Sequence, residues 1–219
     1  MLPSDPLIAP PLPPDVAAYA AGYRRIAGVD EAGRGPWAGP VVAAAVLLRQ
    51  PLLPVRIDDS KRLTSAQRER AFQVILERSD AGFGIACAEE IDRYNILQAT
   101  LLAMKRAVQD LAVNVELVLV DGNVAPESAV PWWPVVRGDQ RSYVIACASI
   151  LAKVLRDRLM EFYDQLCPEY AFRQHKGYGT PLHAERLKVL GPSIFHRRSF
   201  RPVAETAVAV VDSVERYIA

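Results

Sequence analysis

The chain has 219 residues and a formal net charge of +1, with 51% hydrophobic and 23% charged residues. That balance suits one globular domain with a sizeable core and excludes a disordered or fibrous chain. Three scattered cysteines in apolar surroundings (Cys87, Cys147, Cys167) argue against a disulfide framework, and neither a basic leader nor a bilayer-length apolar run occurs, so a monomeric cytoplasmic protein without a membrane partner is expected.

In chain order, residues 1–22 are rich in Pro and Ala without a period and are expected to form a flexible extension. Regular patterning starts at Tyr23. "YRRIAGVD" and "PVVAAAVLL" (40–48) read as paired strands joined by a glycine-rich turn. "TSAQRERAFQVILERS" opens on an N-cap, Thr64 or Ser65, and spaces Ala71, Val74 and Ile75 as a helix does. A third strand is expected over 81–88, then an amphipathic helix over 89–111 with acids in its first turn. "VELVLVDG" (115–122) reads as a buried central strand, and the "PVV" of "AVPWWPVVRGD" as a short strand near a sheet edge. A long helix follows over 142–166, capped by Ser142 and lined early with small residues, which calls for a close neighbour. "TPLHAERLKVL", with Pro181 at its first position, and residues 202–219 read as two further helices. The order of elements indicates an α/β domain with a mixed sheet.

Three segments place acids at the ends of apolar runs: Asp30 with Glu31, Asp121, and Asp139. Taken singly, each fits a turn former; together they fit a crevice at neighbouring strand ends. Like charges about 4 Å apart repel by about 4 kcal/mol at an effective dielectric near 20, so such a cluster requires a cation. Hard oxygen donors without Cys or paired His select Mg2+ or Mn2+ over zinc. The "GRGPWAG" turn after Glu31 is not a dinucleotide fingerprint, because its glycine spacing differs and a strand follows it. Residues 137–201 carry twelve Lys and Arg against six acids, a block that is either a solvated face or a footprint for phosphate.

From residue 23 to 203 the chain resembles the ribonuclease HII family. Eight stretches match in register: "AGVDEAGRGPWAGPVVAAAV", "DDSKRL", "YNILQATLLAMKRAV", "VLVDGN", "VVRGD", "ASILAKVLRDR", "HKGYGT" and "GPSIFHRRSFRPV". The resemblance implies an RNase H-like fold: a five-stranded mixed sheet flanked by helices, with a helical C-terminal part. It divides the chain into the extension, a catalytic domain over 23–201 and a C-terminal helix over 202–219. It implies a metal-binding and catalytic tetrad of Asp30, Glu31, Asp121 and Asp139 that holds two Mg2+ or Mn2+ ions. Gly33, Arg34, Gly35 and Tyr178 are then the groups that meet the ribonucleotide, a sensible arrangement for recognising a 2′-hydroxyl. The implied partners are RNA–DNA hybrids and duplex DNA containing ribonucleotides, cut 5′ of the ribonucleotide to leave 3′-hydroxyl and 5′-phosphate ends.

Secondary candidates remain open between two roles. Lys61 is either a phosphate contact or a surface lysine. Ser149 is a phosphate contact, and Lys153 either joins it or pairs with Asp157. His175, His183 and His196 are structural or assist proton transfer, and "HRRSF" supplies phosphate contacts or a helix-end cap. Arg137, Trp37, Tyr143 and Cys147 depart from the residues usual in the family, and none is a tetrad position.

Overall fold

The computed structural model describes residues 12–206. Five strands form one sheet in the order β3-β2-β1-β4-β5. They are β1 (Ile26–Ala32), β2 (Val41–Leu48), β3 (Ser79–Ala86), β4 (Leu117–Asp121) and β5 (Trp132–Val135). β1 runs antiparallel to β2 and parallel to β4, and β5 closes the edge parallel to β4, so the sheet is mixed.

Both faces of the central strands are buried, as their unbroken apolar runs require. On one face Ala44 and Val46 of β2 and Leu117 and Leu119 of β4 pack against α2 (Ser65–Arg78) and α5 (Tyr143–Leu166). On the other, Ala27, Val29, Ala43, Val118 and Val120 meet α3 (Ala88–Gln109). The small residues of α5 find their neighbour in β1: a Cβ on Gly28 would fall on the main chain of Val144 and Ile145. The helix therefore lies directly on the strand that carries Asp30.

Local signals account for most ends. Thr64 caps α2 in a reciprocal box with Gln67, and the Ser142 hydroxyl accepts the Ile145 N–H at the start of α5. Two expectations change. The helix over 89–111 breaks at Asn95, which takes φ 68° while its Oδ1 accepts the N–H groups of Leu97 and Gln98, capping a second segment inside α3. The loose extension does not reach residue 22: Pro14–Ala20 form α1, with Ala18 fully buried. Asp15 holds α1 down, because its carboxylate accepts from Ser142 Oγ and from the N–H groups of Tyr143 and Val144, all at the start of α5. Residues 1–11 and the greater part of the expected C-terminal helix, residues 207–219, lie outside the described residues.

The region after α5 is built from short pieces: a helical turn Pro168–Tyr170, α6 (Phe172–His175) and α7 (Pro181–Leu190). They enclose a small aromatic core of Ala38, Met160, Tyr170 and Phe172, joined by Tyr163 and Phe195. Among the described residues no helix is long and apolar enough to cross a membrane.

Candidate active site

The tetrad positions meet at the carboxyl ends of the parallel strands β1 and β4, whose last paired residues are Val29 and Val120. Asp30 and Asp121 follow those residues, and both continue the face that α5 covers. Asp139 arrives from α4 (Gly138–Arg141), a four-residue turn of helix entered through Arg137 in the left-handed region at φ 55°. Gly138 fits there because a Cβ would meet Ile145 Cδ1 at 2.7 Å and Asp121 Oδ1 at 3.2 Å. Its N–H donates to Asp121 Oδ1 at 2.6 Å, which ties the third acid to the turn bearing the fourth.

These acids line one cleft of about 500 Å³ with Gly33, Arg34, Lys61, Ser149, Lys153 and Tyr178. Gly35 belongs to the same turn as Gly33 and Arg34 but stands outside the lining, with open space where a side chain would go. Burial, then the charges of Glu31 and Asp121, pushes the Asp30 carboxyl well above its ordinary range. Glu31 is raised mainly by burial, opposed by Arg34 at 3.4 Å. Asp139 is raised by burial and by Asp121 and Asp59, with Lys61 opposing at 3.9 Å. A site that disfavours its own negative charge is one that a cation would stabilise. Among the described residues no group of three or more His, Cys, Asp or Glu side chains is drawn close enough to hold a metal ion as it stands. A second cavity of about 490 Å³ lies beside α1, lined by Val16, Tyr19, Leu48, Ile57 and Tyr143 with Asp15, Asp58 and Asp139; Asp30, Glu31 and Asp121 do not reach it.

The secondary candidates separate. Lys61 projects into solvent from a loop whose Asp59 Oδ1 accepts the Lys61 N–H at 2.9 Å, and it faces Asp139. Lys153 pairs with Asp157 at 2.7 Å. Ser149 is buried, shares a 3.1 Å hydrogen bond with Ser60, and its hydroxyl is near enough to Asp30 to favour the carboxylate form. Its hydroxyl has a partner within the protein and also lines the cleft. None of the three histidines lines the cleft: all are buried in the C-terminal region.

Two arginines that no motif singled out for this task shape the turn. Arg197, fully buried, donates to the carbonyls of Gly39 and Arg34 at 2.9 Å and of Gly33 at 2.5 Å. Burial and the nearby Arg156 pull its guanidinium down to about 9. Arg156, also fully buried, donates to the carbonyls of Pro40, Ala38 and Lys176, and its guanidinium lies 5.6 Å from the Tyr178 ring centroid. Gly33 is required because it sits at φ +97° and its missing Cβ would occupy the Arg156 side chain. Within the "HRRSF" stretch Arg197 thus acts as an internal clamp on main-chain carbonyls, while Arg198 is exposed. In the sequence both arginines stand among other charged residues, which does not reveal carbonyl partners more than 100 residues away.

Such a sheet, with acids gathered where its parallel strands end, places the chain among the metal-dependent hydrolases of the ribonuclease H type. Comparison with known proteins narrows that class. The Ribonuclease HII family model matches residues 27–203. Ribonuclease HII of Chloroflexus aggregans is 49% identical over 205 residues, covering 90% of this chain and 96% of that protein. Its counterpart in Syntrophotalea carbinolica is 51% identical over 185 residues, 84% of this chain and 88% of that protein. Ribonuclease H2 from Pyrococcus horikoshii superposes with a TM-score of 0.68 at 25% identity, covering 85% of this chain and 98% of that one. The chain belongs to the ribonuclease HII family.

Proposed function

We propose that this cleft cuts the RNA strand of RNA–DNA hybrids and the 5′ side of single ribonucleotides embedded in duplex DNA, leaving 3′-hydroxyl and 5′-phosphate ends. The observation that carries the reading is one cleft that collects Asp30, Glu31, Asp121 and Asp139 beside Gly33, Arg34 and Tyr178. The donor set fits hard divalent cations: four carboxylates, no His or Cys in the lining, and three carboxyls raised by burial and mutual charge. Asp30, Glu31, Asp121 and Asp139 would hold two Mg2+ or Mn2+ ions. When bound, such ions supply Lewis acidity toward the attacking water and offset charge on the leaving oxygen.

The chain's own residues do the rest. The turn at 33–35 lets backbone approach the sugar closely, and Gly33 keeps it free of a side chain that would reach inward. Arg34 is half exposed and close enough to Glu31 to exchange that weak pair for a phosphate. Lys61 offers a second cation at the mouth. The Tyr178 ring, 43% exposed over the Arg156 guanidinium, forms a platform for the sugar on the DNA side of the cut. We take the enzyme to act as a cytoplasmic monomer, in keeping with three unpaired cysteines.

The test is Asp30→Asn. Cleavage of an RNA–DNA hybrid should be abolished while binding, read by fluorescence anisotropy, stays within about threefold of the parent. Normal cleavage by the variant would remove Asp30 from the chemistry.

A further inference from the structure

All three histidines of the chain gather behind Tyr178, outside the cleft. His175 and His183 stack with ring centroids 4.2 Å apart, and His183 Nε2 lies 3.0 Å from His196 Nε2. Two backbone donors determine where their protons sit. The Ser193 N–H donates to His196 Nδ1 at 3.0 Å, so the His196 proton is on Nε2. That proton faces His183 Nε2, which must accept it, leaving the His183 proton on Nδ1. His183 Nδ1 in turn lies 3.0 Å from the Tyr178 carbonyl and donates to it. Separately, the Gly177 N–H donates to His175 Nδ1 at 3.1 Å, so His175 Nε2 carries the proton given to the Tyr170 carbonyl at 2.9 Å.

We infer that His196 and His183 form a directed relay of neutral imidazoles, Ser193 N–H to His196 to His183 to the Tyr178 carbonyl, that positions Tyr178 for the sugar. His183 is thus a positioning residue: it touches neither acids nor substrate, and works through the peptide that aims the Tyr178 ring. The same peptide segment is held from the other side, because the Gly177 carbonyl accepts the Trp37 N–H at 2.8 Å and the Arg197 N–H donates to the Trp37 carbonyl. The relay and the turn at 33–35 therefore share one support. The Trp37 and His183 ring centroids lie 5.4 Å apart, and the indole fills the space beside Gly179, so Trp37 is part of that support.

The inference rests on the reading of Tyr178 given above, and the test separates the two. The substrate is a duplex bearing one ribonucleotide, with Mg2+ as the probe metal. His183→Phe keeps the ring stacking and removes both nitrogens; His183→Asn returns an N–H near Nδ1. We expect kcat/KM to fall about tenfold in His183→Phe, to recover most of that loss in His183→Asn, and to be no lower in His183→Phe/Tyr178→Ala than in Tyr178→Ala alone. A packing role predicts the reverse order, with Phe tolerated and Asn harmful. Multiplying effects in the double variant, or normal kinetics in His183→Phe beside an impaired Tyr178→Ala, overturns the relay alone. Normal kinetics in Tyr178→Ala overturns the reading of Tyr178 and the relay with it. A measurement on the unaltered protein needs no variant to fold: imidazole 15N spectra at neutral pH should show His183 protonated on Nδ1 and His175 and His196 on Nε2. A His183 protonated on Nε2 contradicts the relay.

Discussion

Lowering the pH from 7 to 5 should weaken the fold through its buried imidazoles. Burial, then neighbouring imidazole charge, lowers His183 to about 4 and His196 to about 3. In the unfolded chain both titrate near 6.5. The unfolded state therefore binds more protons below pH 6.5, so the stability that these rings carry is complete above 6.5 and lost as pH falls toward 4. At pH 5 each ring has forfeited about 2 kcal/mol, or about 4 together, at roughly 1.4 kcal/mol per unit. His175, lowered first by burial, contributes with the same sign. Asp30, Glu31 and Asp139 act oppositely, because a raised carboxyl takes up its proton in the folded state first. Comparison with His183→Phe cancels those acids. In urea unfolding, the stability advantage of the parent over the variant should narrow by about 2 kcal/mol between pH 7 and pH 5. A pH dependence identical in the two proteins would refute the assignment of a buried neutral ring at position 183.

Two further substitutions test the supports beneath the site. Gly28→Ala should cost about 3 kcal/mol or more, because the new methyl meets the main chain of Val144 and Ile145 and must push α5 off β1; an unchanged melting temperature would contradict that packing. Asp15→Ala should cost about 1–2 kcal/mol by stripping acceptors from the first N–H groups of α5, again read by thermal unfolding, and no loss would mean that α1 contributes nothing there.

Strand and helix positions were legible wherever the periodicity was strong, and the paired acids at the end of β1 were legible because two carboxylates there have no packing reason to exist. That Asp121 and Asp139 join them depended on strand order, which spacing alone leaves open; the family motifs supplied it. What stayed hidden was set by partners distant in sequence. Asp15 reads as one acid in a proline-rich stretch until Ser142, Tyr143 and Val144 arrive to be capped. Arg156 and Arg197 read as cations, whereas the fold uses them as hydrogen-bond forks for carbonyls of the loop between β1 and β2. Asn95 reads as one polar residue inside a helix, although its side chain can cap a new start.

In the proposed function, four acids and the turn beside them cut at one ribonucleotide. The direct measurement offers the enzyme a labelled duplex with a single ribonucleotide, in Mg2+, in Mn2+ and with the metal chelated. The expected result is one cut on the 5′ side of that ribonucleotide with either metal, leaving 3′-hydroxyl and 5′-phosphate ends, and none after chelation. Cleavage confined to tracts of about four or more ribonucleotides, or cleavage that survives chelation, would contradict it.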